Sequence, residues 1–171
     1  MMFAPCLALA SCDLFEQAYS RGWQHKVWAA LTGRSRRLLN LATVQTTRTV
    51  VGRHHAGRQT VPIDQIRGST GRYTDFDIDF YPLQTHTRER WLRIARAQQQ
   101  GVSLPLVDLI QVGDVYFVRD GHHRISVAQA LGQPDIDAQV TVWRIASPSP
   151  EEKPAPVMEQ SPAYLRKPKY S

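Results

Sequence analysis

The strongest constraint in this chain is a strand that runs straight into a helix through an acid and a glycine. Val115-Tyr116-Phe117-Val118 is β-branched or aromatic throughout and reads as a buried strand. Asp120-Gly121-His122-His123-Arg124 follows, and Ile125, Ala128 and Leu131 then recur at helical spacing until Gly132 supplies a stop. A helix that opens on a glycine turn presents unpaired backbone N–H groups and the positive end of its dipole, which suits an anion. In this corner Gly121 is expected to let a ligand approach the backbone. Arg124 is expected to offer a forked guanidinium to phosphate oxygens, His122 and His123 a hydrogen bond or a proton, and Asp120 a ligand for Mg²⁺ or a catalytic carboxylate.

Two further segments read as parts of the same unit. Leu106 to Gln111 and Val115 to Val118 flank Val112-Gly113-Asp114, a hairpin signal, and the hairpin delivers Asp120 to the corner. Ile136, Ala138, Val140 and Val142 alternate with polar residues as a closing strand before Trp143. Hydrophobic strand, Asp-Gly-His-His-Arg and alanine-containing helix together resemble the signature of the ParB/sulfiredoxin-like superfamily, over roughly Val61 to Trp143. Val61-Pro62-Ile63-Asp64-Gln65-Ile66 resembles its opening strand and turn.

That resemblance implies a small mixed α/β (α+β) fold and contact with nucleotide phosphates near Asp120 to Arg124. It also implies that the segment after the first strand, Gly68-Ser69-Thr70-Gly71-Arg72-Tyr73, helps form the same cleft, which makes Ser69, Gly71 and Arg72 a second group of candidates. Sulfiredoxin carries a catalytic cysteine between the glycine and the histidine of this turn. His122 stands there in this chain, so sulfur-repair chemistry is not expected. ParB shows Gly-Glu-Arg-Arg and then a helix-turn-helix domain, and neither is expected here. An Asp before the glycine is closest to the superfamily's free-serine kinases, in which Asp120 would act as base.

The implied ligand is a nucleoside triphosphate or diphosphate with Mg²⁺. Three roles stay open: a nucleotide- or phosphate-binding regulatory domain, a phosphotransferase, and a DNA-binding accessory. The chain of 171 residues carries a formal charge of +6 and is 42% hydrophobic, enough for one core and suited to anionic partners. Arg34, Arg36, Arg37, Arg48, Arg53 and Arg58 on one side, and Arg166, Lys167 and Lys169 on the other, form basic flanks for nucleic acid.

Other chemistries find less in the sequence. Adjacent residues on a helix point about 100° apart, so His54-His55 and His122-His123 are poor chelating pairs and no zinc site is expected. No serine sits in a nucleophile elbow. Asp75, Asp77 and Asp79 alternate with Phe76, Ile78 and Phe80, which predicts an edge strand with one acidic face and leaves Asp75 as a metal candidate. The two cysteines, Cys6 and Cys12, imply no disulfide framework and fit a reducing cytoplasm. Leu9-Ala10-Ser11-Cys12 resembles a bacterial lipoprotein cleavage box, but no Lys or Arg precedes the short apolar stretch that Pro5 interrupts.

The remaining organisation follows from periodicity. Asp13 to Leu31 is expected to be helical, with Leu14, Ala18, Val27, Ala30 and Leu31 as apolar positions, Trp23 and Trp28 adding bulk, and Gly33 as a stop. A short basic helix is expected through Arg36 to Leu41, then a strand or extended linker from Thr43 to Val51 and a mobile segment from Gly52 to Arg58. Thr85 or Thr87 is expected to cap a helix to Gln100 that turns Trp91, Ile94 and Ala95 inward and Arg88, Arg90, Arg93 and Arg96 outward. The expected division is a basic helical N-terminal extension and linker over 1–58, the main domain over 59–146, and a disordered Pro/Lys-rich tail over 147–171.

Overall fold

The computed structural model describes residues 4–72 and 74–146, with side chains from residue 10 onward. The tail expected over 147–171 lies outside the described residues. The elements are α1 (Ala4–Thr32), β1 (Leu39–Asn40), α2 (Leu41–Thr47), β2 (Val50–Pro62), β3 (Ile66–Ser69), α3 (Arg88–Gln99), β4 (Val107–Val112), β5 (Val115–Asp120), α4 (His122–Ala130) and β6 (Asp135–Ile145). The strands form one mixed sheet in the order β1-β3-β5-β4-β6-β2, so the expected mixed α/β class holds. β4 and β5 make the antiparallel hairpin, β5 runs parallel to β3, and β4 runs parallel to β6.

Alternation along the central strands explains how both faces are covered. Val107, Leu109, Tyr116 and Val118 point to one face and pack with Ile125 and Ala128 of α4. Ile110, Val112 and Phe117 point to the other, against Leu41 of α2 and Trp143. Outside α4 lies a further layer, in which Phe15 and Ala18 of α1 meet Trp91, Leu92 and Ala95 of α3 and Val127 of α4. The Trp91 indole donates to the Ser126 hydroxyl at 2.9 Å inside this layer. Gly22 lets α1 approach closely, since a Cβ there would stand 2.6 Å from the Pro82 carbonyl oxygen.

Several expectations change. The basic helix expected through Arg36 to Leu41 is absent: Leu39–Asn40 pairs with β3, and the helix starts only at Leu41, where the Asn40 side chain accepts from the Ala42 amide at 3.0 Å. Thr43 to Val51 is therefore mostly helix rather than strand. Gly52 to Arg58 belongs to β2, which pairs antiparallel with β6 from Val50↔Ile145 to Pro62↔Asp135 and crosses the expected boundary at 58/59 without a break. The helix through Gln99 forms, but Thr87 does not cap it: its hydroxyl donates to the Gln84 carbonyl instead. In α1, Val27 and Leu31 point outward with Trp23 and Trp28, while Phe15 and Ala18 make the buried contact.

The segment Asp75 to Asp79 is no strand with a solvated acidic side. The Asp77 carboxylate accepts from the amides of Asp79 and Tyr81, which closes a turn and buries Asp77. Its other oxygen lies 2.7 Å from His25 Nδ1 of α1, and Asp79 pairs with Arg36 and, at 3.5 Å, with Arg67. Burial raises the Asp77 carboxyl above its ordinary value, and the His25 hydrogen bond opposes that rise. Among the described residues no helix is long and apolar enough to cross a membrane.

Candidate functional site

The two groups of residues singled out in the sequence meet because β3 and β5 are parallel neighbours. Their carboxyl ends lie side by side, with Ser69 paired to Val118, so the loop after β3 abuts the start of α4. The Thr70 amide donates to the Val118 carbonyl at 3.0 Å, and Ser69 Oγ lies 2.6 Å from His122 Nε2. Gly71 folds back on the same hydroxyl: Ser69 Oγ donates to its carbonyl oxygen and accepts from its amide at 3.1 Å. The single hydroxyl proton is thereby used, so His122 Nε2 is the donor to Ser69 and Nδ1 keeps the lone pair. With Ser69 fully buried, its hydroxyl has no open face for a substrate, and the pair orders the loop.

Both imidazoles are buried against Phe76. The His122 ring stacks on it at 6.1 Å and the His123 ring meets it edge-on at 5.3 Å. Burial pushes the His122 pKa down to about 4, helped by the nearby Arg72 guanidinium. Burial followed by Arg90 and Arg72 pushes His123 down to about 4 as well. At neutral pH these residues are uncharged, and the positive field at the corner belongs to Arg72 and Arg90.

Arg90, at the start of α3, lends its charge to the site, whereas the sequence placed it only on the outward, arginine-rich face of that helix, suited to solvent or to a nucleic-acid backbone. Nothing local marks it, because α3 reaches α4 through packing such as the Trp91–Ser126 bond. Arg72 has φ +37, is exposed and pairs with Asp75 at 3.3 Å. Asp75 also lies 3.6 Å from His86.

Gly121 and Arg124 do not do what the sequence suggested. Gly121 adopts φ +106, and a Cβ there would lie 2.7 Å from Val107 Cγ1. The space beside its α-carbon is filled by β4, so the glycine serves a tight strand-to-helix packing and leaves no approach for a ligand at that point. The Arg124 guanidinium is turned to its own scaffold: Nη1 donates to the carbonyls of Pro105 at 2.5 Å and Leu106 at 2.8 Å, and Nη2 donates to Asp120. It clamps the start of α4 to the chain entering β4 rather than standing free to grip phosphate. Asp120 is exposed apart from that pairing.

The start of α4 has no capping side chain. Its first amides stand beside the field of Arg72 and Arg90, and this combination can receive an anion. At Asp120 one carboxylate oxygen holds Arg124, and among the described residues no group of three His, Cys, Asp or Glu ligand atoms gathers there. Among the described residues that grouping occurs at His25, Asp77 and Asp79. There the Arg36 guanidinium pairs with Asp79 and lies 3.5 Å from His25 Nδ1, so an organic cation already takes the place of a metal. Open clefts lie elsewhere, at the far end of α4 beside Gln129, Gln133 and Asp135, beside Arg67, Gln111 and Tyr116, and beside Thr46, Arg48 and Arg53.

No protein-family model matches the chain, and no curated protein matches it. Among solved structures, sulfiredoxin from Arabidopsis thaliana is similar to 48% of this chain and 82% of its own length, with 20% identity and a TM-score of 0.38.

Proposed function

We propose that this domain binds a phosphate-bearing ligand, a nucleotide by preference, at the opening of α4, and acts as a binding or regulatory module. The observation that carries the reading is the coincidence of an uncapped helix start with two guanidinium groups, Arg72 and Arg90, whose field reaches both His122 and His123. In this reading the ligand's phosphate rests on the first amides of α4, with Arg72 released from Asp75 to meet it. The neutral imidazoles shape the floor of the site. Arg124 and Asp120 hold the helix start in place and do not touch the ligand.

Phosphotransfer with Asp120 as base has no specific observation in its favour, since its carboxylate is engaged by Arg124. Thermal unfolding in the presence of ATP, ADP, CTP, GTP and pyrophosphate, each with and without Mg²⁺, tests the proposal. A ligand at about 100 times its Kd stabilises the folded state by about 2.7 kcal/mol. For a chain of this length that corresponds to roughly 5–10 °C. The shift is expected to vanish in Arg72→Ala/Arg90→Ala and to persist in Arg124→Lys. No shift with any of these ligands, or a shift untouched by the double variant, rejects the proposal.

A further inference from the structure

The outer face of α1 carries an apolar surface that none of the described residues covers. Trp23 is 58% exposed, Trp28 63% and Leu31 77%, and Val27 joins them on the same side. At about 100° per residue these four span an arc of about 140°, opposite the face on which Phe15 and Ala18 are buried. Lys26 falls just outside the arc on one side and Arg21 on the other. Past the helix end come Arg34 and Arg37, both exposed. From Gln17 to Ile63 the sequence holds eight Lys or Arg and no Asp or Glu. Of these, Lys26, Arg34 and Arg37 carry no side-chain ion pair among the described residues, whereas Arg36 is committed to Asp79 and Arg48, Arg53 and Arg58 lie towards the opposite edge of the sheet.

We propose that this face of α1 is a peripheral docking surface for an anionic lipid bilayer. Two indoles at the two edges of an exposed helix face are the side chains that settle at the boundary between headgroups and acyl chains, and Val27 and Leu31 add apolar depth between them. The cations on the rim are placed to meet lipid phosphates while the apolar residues insert. Charge complementarity decides among the possible occupants. A second copy would bring the same Lys26, Arg34 and Arg37 against this one, while the nearest exposed acids of α1, Asp13 and Glu16, lie about two to three turns before Trp23, and Glu16 is paired with Arg88. A nucleic acid would satisfy the cations and stack on the indoles, but it offers nothing to bury Val27 and Leu31. An anionic bilayer satisfies all of them. The surface lies on α1, apart from the opening of α4, so the proposal stands independently of phosphate binding there.

Flotation of the full chain with vesicles of equal parts phosphatidylcholine and phosphatidylglycerol, set against vesicles of phosphatidylcholine alone, tests this. Binding is expected to the anionic vesicles with a blue shift of tryptophan emission, and it should weaken as salt rises from about 0.1 M to about 1 M. Trp23→Ser/Trp28→Ser and, separately, Lys26→Glu/Arg34→Glu/Arg37→Glu are each expected to lower the bound fraction about tenfold or more. Both variants change exposed side chains only, so an unaltered melting temperature verifies their fold. The proposal is overturned by absence of flotation, by equal binding to the neutral vesicles, or by undiminished binding of the tryptophan variant. It is equally overturned if the wild type forms a dimer, or a complex with single-stranded RNA, that the tryptophan variant abolishes while neither protein floats.

Discussion

Replacement of Gly121 by alanine separates a packing glycine from one kept open for a ligand. Two costs are expected. The residue sits at φ +106, where an L side chain meets its own backbone, at a cost of about 1–2 kcal/mol. The new Cβ would also stand 2.7 and 2.9 Å from Val107 Cγ1 and Cβ, inside the core, which adds about 1–3 kcal/mol of overpacking. The sum is about 2–5 kcal/mol, a large share of the roughly 5–15 kcal/mol that holds a domain folded. Gly113→Ala is the control: it lies in the hairpin turn at φ +60 with nothing within 4 Å of the added carbon, so only the first cost applies. Urea unfolding followed by tryptophan fluorescence should place Gly121→Ala about 1–3 kcal/mol below Gly113→Ala, with the m-value unchanged. In a Val107→Ala background, which removes Cγ1 and keeps the Cβ at 2.9 Å, that excess should shrink. Equal destabilisation by the two glycine variants, or an excess unaffected by Val107→Ala, would refute the packing argument. So would a fully stable Gly121→Ala that loses a phosphate ligand.

Two further outcomes follow from the same region. His122 and His123 have folded pKa values of about 4 against an ordinary 6.5, so the unfolded chain takes up protons first as pH falls: their contribution is whole above about pH 6.5 and is lost towards pH 4. At about 1.4 kcal/mol per unit the pair should cost at most about 7 kcal/mol across that interval, partly offset by Asp77, whose raised pKa works in the opposite direction. Urea midpoints from pH 7 to pH 4 measure this; a flat profile, or one unchanged in His123→Leu, contradicts it. Ser126→Ala should cost about 1–3 kcal/mol by leaving the buried Trp91 indole N–H without its acceptor, and Ser126→Thr, which keeps a hydroxyl, should cost less if it is accommodated. Chemical denaturation gives both values, and an alanine variant as stable as wild type would show that the bond carries no weight.

What could be read from the sequence was what is local in the fold. The hairpin through Gly113, the turn at Gly121 and the stop at Gly132 are each decided within a few residues, and each is found where the pattern put it. β2 was misread because its partner lies more than seventy residues away, and because its register shifts near Gly52 and Gly57 break the alternation that would have marked a strand. Asn40 was a legible cap ahead of Leu41 that went unused. Asp75 to Asp79 alternated as a strand does, yet Asp77 turned its carboxylate onto the backbone two and four residues ahead. At the site, the meeting of Ser69 with His122 depends on the parallel pairing of β3 with β5, and the resemblance suggested it. The commitment of Arg124 to two carbonyls across the turn had no signal in the sequence at all.

The long final strand of the sheet has a consequence for solubility. β2 spans thirteen residues and, among the described residues, pairs with β6 alone, so its outer rim offers a row of amides and carbonyls on which another extended chain could grow. Arg53, His54, His55 and Arg58 sit along that rim, and two irregularities twist it out of flatness. Like charge and a crooked template are the means by which proteins discourage fibre-like association. Their removal, by straightening the irregularities and neutralising the arginines together, would be expected to turn this edge into a nucleus for aggregation.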